Sequence, residues 1–322
     1  MEQTSWTELN FIERKSLPFF DIENEKKEID FIDFNLEDAN KKWMEESNNL
    51  VMDFAGVFHS IYLRWAVTVN GLNVAEEKYR SDEWKNPLKA FVVTGIRNGK
   101  ESPEIVHLKQ WNGKTASEIH KSSIPMLAGW AFCNMYSVFE EFIFKLYKIY
   151  LEAHPLTILE GRDFRDMRAL YRKKDESDAN LLEWQNAWNE RLEKWHRKKL
   201  YDGLEKIFNS YIKLTKLEIP AMYNAPYSLE DVSKTIGGIS LIRNCFIHGM
   251  ANVPKELGDF CKTFQSISFN FIENEKFTIN LNDLMTLEYF SFTFTQTLNN
   301  SFSELAFPFM KEIANKKFNK PS

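Results

Sequence analysis

The stretch Met126-Leu-Ala-Gly-Trp-Ala-Phe-Cys-Asn-Met-Tyr-Ser-Val-Phe-Glu-Glu-Phe-Ile-Phe-Lys-Leu-Tyr-Lys-Ile-Tyr-Leu-Glu-Ala153 decides the fold class. Phe132, Met135, Phe139, Phe142, Ile143, Leu146 and Ile149 recur in it at three- and four-residue intervals. That is the period of an α-helix with an apolar stripe turned to a core. The spacing predicts a core helix from about Met126 to Ala153, and a chain organised around helices.

On the N-terminal side, an apolar face carrying Trp43, Leu50, Phe54, Phe58, Ile61 and Trp65 predicts a helix over about 37–70. Phe91-Val-Val-Thr94 and Ile105-Val-His-Leu108 are β-rich runs on either side of Asn98-Gly99, and they predict a hairpin. Leu17-Pro-Phe-Phe20 and Ile29-Asp-Phe-Ile32 are apolar clusters broken by charge and proline, expected to be extended or irregular. The region 1–122 thus reads as a mixed helix and strand module, a candidate sensor or regulatory part. Residues 123–322 form the main helical part.

On the C-terminal side, Trp184, Trp188 and Trp195 share a helical stripe with Leu181 and Leu192. Eleven lysines and arginines face eight carboxylates between Gly161 and Leu200, a local excess of three positive charges in a chain of net charge −5. An RNA-stacking surface is one reading of this segment, and packed tryptophans are the preferred one. A helix is expected over about 198–213. Ser228, with Asp231 three residues on, marks the start of another, and Gly237-Gly238 within reach of it suit close approach of a neighbour. Ser266–Asn280 alternates apolar and polar residues around Glu273-Asn-Glu275 and predicts a second hairpin. Asn282 or Asp283 then caps a run containing Leu287, Phe290, Phe294 and Leu298. A shorter helix through Phe309 and Ile313 follows, with a frayed tail from Lys316.

The chain has 322 residues, 43% hydrophobic and 15% aromatic, with only 12 glycines and 10 prolines. That balance favours packed helices over loops and excludes disorder. The negative net charge excludes a generally basic nucleic-acid coat, so any RNA site has to be local. Cys133, Cys245 and Cys261 are odd in number and lack metal-ligand spacing, so neither a disulfide framework nor a zinc site is expected. No resident metal or other cofactor is implied. No apolar run approaches the ~20 residues of a membrane span, and Met1-Glu-Gln-Thr4 does not open a secretory leader. A cytoplasmic location is expected.

The chemistry-bearing stretch is Arg243-Asn-Cys-Phe-Ile-His-Gly249. On a helix, Asn244 and His248 stand one turn apart with Arg243 flanking the same broad face. Histidine titrates near neutrality and can move the 2'-hydroxyl or leaving-group proton of RNA. Arginine holds a permanent charge in a planar fork suited to phosphate oxygens. Asn244 would orient the imidazole or donate to the phosphate, and Gly249 can stop the helix. His59, His107, His120, His154 and His196 are dispersed and form no metal or hydrolase motif.

Leu241-Ile-Arg-Asn-Cys-Phe-Ile-His-Gly249 resembles the Arg-Asn-x-x-x-His signature of HEPN (higher eukaryotes and prokaryotes nucleotide-binding) domains, and Tyr136-Ser-Val-Phe-Glu-Glu-Phe-Ile-Phe144 resembles their first long helix. The expected hairpin at 266–280 matches an arrangement in some bacterial members, and the resemblance spans about residues 125–315. It implies a mainly α, HEPN-like helical bundle, usually dimeric, with two signature helices facing each other across one RNase cleft. It further implies metal-independent endoribonuclease activity with Arg243, Asn244 and His248 as catalytic residues. RNA would be the substrate and a second copy the partner. An antitoxin, phage trigger or regulatory partner would belong to a toxin, abortive-infection or other antiphage system. Glu140 or Glu141 would support the site by orienting the arginine or histidine, the alternative being a solvated helix face. Met250 stands where a tyrosine is the modification target in members paired with minimal nucleotidyltransferases, which disfavours that subtype. Two other functions stay open: a catalytically silent dimerisation module, and a nucleotide sensor whose Arg243 grips phosphate without cleavage.

Overall fold

The computed structural model describes residues 31–318. Nine α-helices among them, α1 Lys42–Arg80, α2 Gly113–Ala153, α3 Arg165–Lys173, α4 Asp178–Lys199, α5 Leu204–Thr215, α6 Leu229–Ile247, α7 Lys255–Phe260, α8 Leu281–Ala306 and α9 Pro308–Phe318, make the chain mainly helical. A two-stranded antiparallel sheet, β1 Phe91–Asn98 and β2 Pro103–Trp111, joins α1 to α2. Of the N-terminal apolar clusters, residues 17–20 and 29–30 lie outside the described residues, and Phe31-Ile32 has no regular structure.

Helix α2 is the centre of the molecule, with α1, α5, α6 and α8 packed around it. Its expected apolar stripe is buried: Phe132, Met135, Phe139, Phe142, Ile143 and Leu146 are at most 1% exposed. Phe142 stacks on Phe54 of α1 with ring centroids 3.9 Å apart, Phe139 meets Phe294 of α8 at 5.3 Å, and Phe208 of α5 meets Phe294 at 5.1 Å. Four helices therefore share one aromatic cluster, each buried ring contributing about 2–3 kcal/mol of transfer free energy. The helix is longer than its periodicity suggests. Pro125 lies inside it, and because proline has no amide hydrogen to donate, the sequence reads as though the helix starts after that residue. Residues 122 and 123, between which the sequence divides the chain, are both inside α2.

The segment before α1 is strapped to the bundle by side-chain amides. Asn299 of α8 accepts from the Ile32 amide at 2.9 Å and donates to the Ile32 carbonyl at 2.9 Å and to Asn48 Oδ1 at 2.7 Å, while Asn48 of α1 donates to the same carbonyl at 2.7 Å. Both asparagines are at most 1% exposed, and these bonds satisfy polar groups that burial would otherwise penalise.

Several sequence expectations change in the tertiary structure. Helix α1 runs ten residues past the expected end at Asn70. The expected helix over 198–213 is two: α4 ends at Lys199 and α5 begins at Leu204, separated by Gly203 at φ 79°. The tryptophans of α4 are buried, Trp184 stacked on Trp188 at 5.4 Å and Trp195 edge-on to Tyr147 at 4.8 Å, so the stripe is packing; Leu181 lies off it, 38% exposed. The first hairpin forms with its turn where Asn98-Gly99 places it. The second does not. Phe264–Ser266 is a 3-10 turn and Ile267 has φ 58°, a value no strand residue adopts. Phe269, Phe271, Phe277 and Ile279 are buried as their alternation requires, but the later backbone pairs with residues 251–253, through Val253 N–H to Glu275 O, Asn274 N–H to Val253 O and Phe277 N–H to Ala251 O. Alternation signalled burial, and the pairing partner came from elsewhere in the chain. Helix α9 continues through Lys316 to Phe318, where a frayed tail was expected.

The cap of α8 is Asn280, whose side chain accepts from the Asn282 amide, while Asp283 completes a capping box by accepting from the Asn280 amide at 2.8 Å. Neither Asn282 nor Asp283 is the cap itself. Burial pushes the Asp283 carboxyl up to about 6, against the lowering effect of that hydrogen bond. An acid whose folded pKa exceeds its unfolded value adds stability below the unfolded value, and this is lost as pH rises through the folded one. The stability of the wild type relative to Asp283→Asn should therefore fall as pH is raised from about 4 to about 7, measured by urea unfolding at each pH. A difference independent of pH would contradict a raised carboxyl.

Candidate functional site

Helix α6 begins with a capping box, Ser228 Oγ accepting from the Asp231 amide at 3.3 Å and Asp231 accepting from the Ser228 amide at 3.0 Å. Its buried side carries Ile236, Ile239, Ile242 and Cys245. Gly237 and Gly238 lie within the helix, where a Cβ on Gly238 would sit 2.1 Å from the Phe260 ring of α7 and one on Gly237 2.2 Å from the Glu205 carboxylate of α5. The glycine pair is thus close packing.

At its other end, α6 stops in a Schellman arrangement: the Gly249 amide donates to Phe246 O at 3.0 Å, the Met250 amide donates to Cys245 O at 2.9 Å, and Gly249 takes φ 64°. His248 is the C-cap, its amide donating to Asn244 O at 3.0 Å. That hydrogen bond keeps His248 one helical turn beyond Asn244. Both are exposed, and among the described residues the His248 imidazole is in no hydrogen bond or ion pair.

Arg243 is half-buried. Its guanidinium carbon lies 5.6 Å from the centroid of the Tyr136 ring on α2, and Nη1 donates to Asn244 Oδ1 at 2.9 Å. The Tyr136 hydroxyl and Ser240 Oγ are 3.0 Å apart, and Ser240 donates to Ile236 O at 2.9 Å, which holds the ring under the guanidinium. Burial pushes the Tyr136 phenol up to about 12, so it is neutral wherever the protein is folded at ordinary pH. One turn along α2, Glu140 is half-buried; burial raises its carboxyl and the Arg243 charge opposes that rise. Cys133 is held in the same way, its thiol pushed up by burial and pulled back by Arg243. Arg243 therefore acts on three α2 residues at i, i+3 and i+7.

The two glutamates differ. Glu140 belongs to the Arg243 surroundings, whereas Glu141 pairs with Lys145 at 2.8 Å one turn on. Both border a groove of about 580 Å³ between α2 and α4, walled also by Phe144, Asn189 and His196. The Arg243, Asn244 and His248 side chains are not part of that groove. Asn244 and His248 are exposed at the helix end, as are Ile247 (43%) and Met250 (44%) next to them in the chain, and on α2 the exposed Trp130 (54%) meets the Phe246 ring. Sequence reasoning missed Tyr136 and Ser240 as site residues, because nothing within α2 shows that its tyrosine lies beneath an arginine of α6. Among the described residues, no group of three or more His, Cys, Asp or Glu is placed to hold a metal ion.

Comparison with known proteins finds no matching family model, no matching curated protein and no matching solved structure. No helix among the described residues is long and apolar enough to cross a membrane.

The contact that sets α6 on α2 is Gly129 against Phe246, where a Cβ on Gly129 would lie 1.9 Å from the ring; Trp130 meets the same ring edge-on at 5.5 Å. Gly129→Val should cost about 1–3 kcal/mol through overpacking, and much less when combined with Phe246→Ala, which vacates the space. Urea unfolding of both single variants and the double variant measures this coupling. Additive costs would show that the two side chains do not share the contact.

Proposed function

We propose that this protein is a metal-independent endoribonuclease in which Arg243, Asn244 and His248 form half of a site completed by a second copy of the chain. The carrying observation is the Arg243 guanidinium fixed over Tyr136 and bonded to Asn244, on the same exposed helix end as an unpartnered His248. A half-buried arginine without an ion pair among the described residues is a ready partner for phosphate. The exposed helix end supports the dimer: one protomer surrounds no substrate there, and Ile247, Met250 and, against Phe246, Trp130 leave apolar surface exposed near it, as the core of an interface requires.

In the reaction, the 2'-oxygen attacks phosphorus as its proton passes to one His248 imidazole, and the P–O5' bond breaks as the leaving oxygen takes a proton from the other. Arg243 donates to the non-bridging oxygens, whose charge grows in the pentavalent transition state. Asn244 keeps the guanidinium turned toward the phosphate. Glu140 is the positioning carboxylate, and Glu141 belongs to its ion pair with Lys145. The resemblance of Leu241–Gly249 to the HEPN signature makes cellular RNA in an antiphage or toxin system the expected context, and the cytoplasm the expected location.

His248→Ala should lower RNA cleavage by about 10²–10⁴-fold, the scale of general acid–base catalysis, with the unfolding midpoint unchanged because the ring is exposed. Chelator should leave wild-type cleavage intact. Cleavage of total RNA with excess EDTA, beside thermal unfolding, checks both. Full activity of the variant, or loss of wild-type activity on chelation, rejects the mechanism.

Arg243→Lys keeps the charge and loses the planar fork, so it should reduce single-turnover cleavage far more than RNA affinity. Light scattering on the same preparations should show a dimer. A dimer that binds no RNA and never cuts it would favour the dimerisation module, which the exposed apolar surface also suits; a protein that binds nucleotide tightly without cutting RNA would favour the sensor.

A further inference from the structure

A second cavity, of about 700 Å³, lies where α1 ends and α2 begins, outside the part of the chain that carries the signature helix. Three elements wall it: the last turn of α1 with Tyr79, the 3-10 turn Asp82–Lys85 with Trp84, and the first turns of α2. The walls are locked together. The Tyr79 ring packs edge-on against Trp84 at 4.6 Å and Phe91 at 5.2 Å, and Gly113 leaves no room for a side chain, a Cβ there falling 2.6 Å from the Trp84 carbonyl and 2.7 Å from that of Tyr79.

The lining holds a hydroxyl that no protein group meets. Ser117 is 6% exposed, and among the described residues its hydroxyl is in no hydrogen bond. A hydroxyl on a buried residue that no protein group meets is open to an acceptor entering the cavity. Lys114 and Lys121 flank Ser117 on the same face of α2, three residues before it and four after. Neither is in an ion pair among the described residues. The other two cations at the cavity are neutralised, Arg80 by Glu76 at 3.0 Å and Lys85 by Asp82 at 2.5 Å. Glu118 is the one lining carboxylate outside an ion pair among the described residues, so the free charge is positive. The cavity also opens at the N-terminal, positive end of a 41-residue helix.

An unpartnered hydroxyl between two free ammonium groups, in a volume within the ordinary range of small-ligand sites, calls for an anion rich in acceptor oxygens. We propose that this cavity binds a phosphorylated small molecule, with Lys114, Lys121 and Ser117 holding the phosphate oxygens. The proposal stands independently of whether the chain cuts RNA.

Calorimetric titration of the full chain with pyrophosphate, ATP and adenosine tests it. Pyrophosphate or ATP should bind and adenosine should not; binding of pyrophosphate marks phosphate alone as the recognised group, and binding of ATP only marks phosphate together with a base. Lys114→Gln/Lys121→Gln should weaken binding by about tenfold or more, and Ser117→Ala by several-fold. The lysine side chains are on exposed residues, so that double variant decides the matter even if the serine variant folds poorly. Arg243→Ala should bind as the wild type does. Absence of binding by both phosphates, binding unchanged in the lysine variant, or binding lost in Arg243→Ala alone would overturn the proposal.

Discussion

The close approach of α6 to α2 is the constraint on which the candidate site depends. Gly129 lets the Phe246 ring lie against the α2 backbone, and Gly238 lets Phe260 do the same on another side of α6. With α6 held this closely, the Arg243 guanidinium lies over the Tyr136 ring, and the Tyr136 to Ser240 contact ties the two helices together at that level. A larger residue at Gly129 would lift the arginine from its aromatic support, so the chemistry of the helix end is set by a packing decision two turns before Tyr136.

That packing rests on the burial of α2. Its stacked and edge-on rings engage α1, α5 and α8, and the Asn48, Asn299 and Ile32 hydrogen bonds close the bundle over the far side of α1. Because α2 is continuous from Gly113 to Ala153, one helix carries the first turns that line the anion cavity and the tyrosine and glutamate around Arg243. The two sites differ in character. The cavity is concave and holds the Ser117 hydroxyl, whereas Asn244 and His248 lie exposed at a helix end, outside both cavities.

Electrostatics separates residues that look alike in the sequence. Glu140 and Glu141 are neighbours, yet one is half-buried within the field of Arg243 and the other pairs with Lys145. A helix turns about 100° per residue, so adjacent carboxylates face different surroundings, and only the position of α6 says which one matters. The same holds for the lysines of the chain. Several pair with carboxylates one turn away, a contact worth little on an exposed face, and what sets Lys114 and Lys121 apart is their place on either side of Ser117 at the cavity.

The sequence by itself determined the helices and their inner faces. The stripe from Phe132 to Ile149, the box at Ser228 and Asp231, the stop at Gly249 and the turn at Asn98-Gly99 are local properties of period, hydrogen-bonding side chains and allowed backbone angles. It also placed Arg243, Asn244 and His248 together, since they lie within six residues of one another. Tertiary structure decided what local rules do not encode. Pairing of the 274–277 backbone with residues 251–253 replaced the expected hairpin, because an alternating segment buries its apolar side against whichever partner the fold presents. Tyr136 came to lie beneath Arg243 from 107 positions away in the chain. The cavity at Ser117 arises where three elements meet, and contacts between distant segments depend on how whole surfaces fit, which no window of sequence contains.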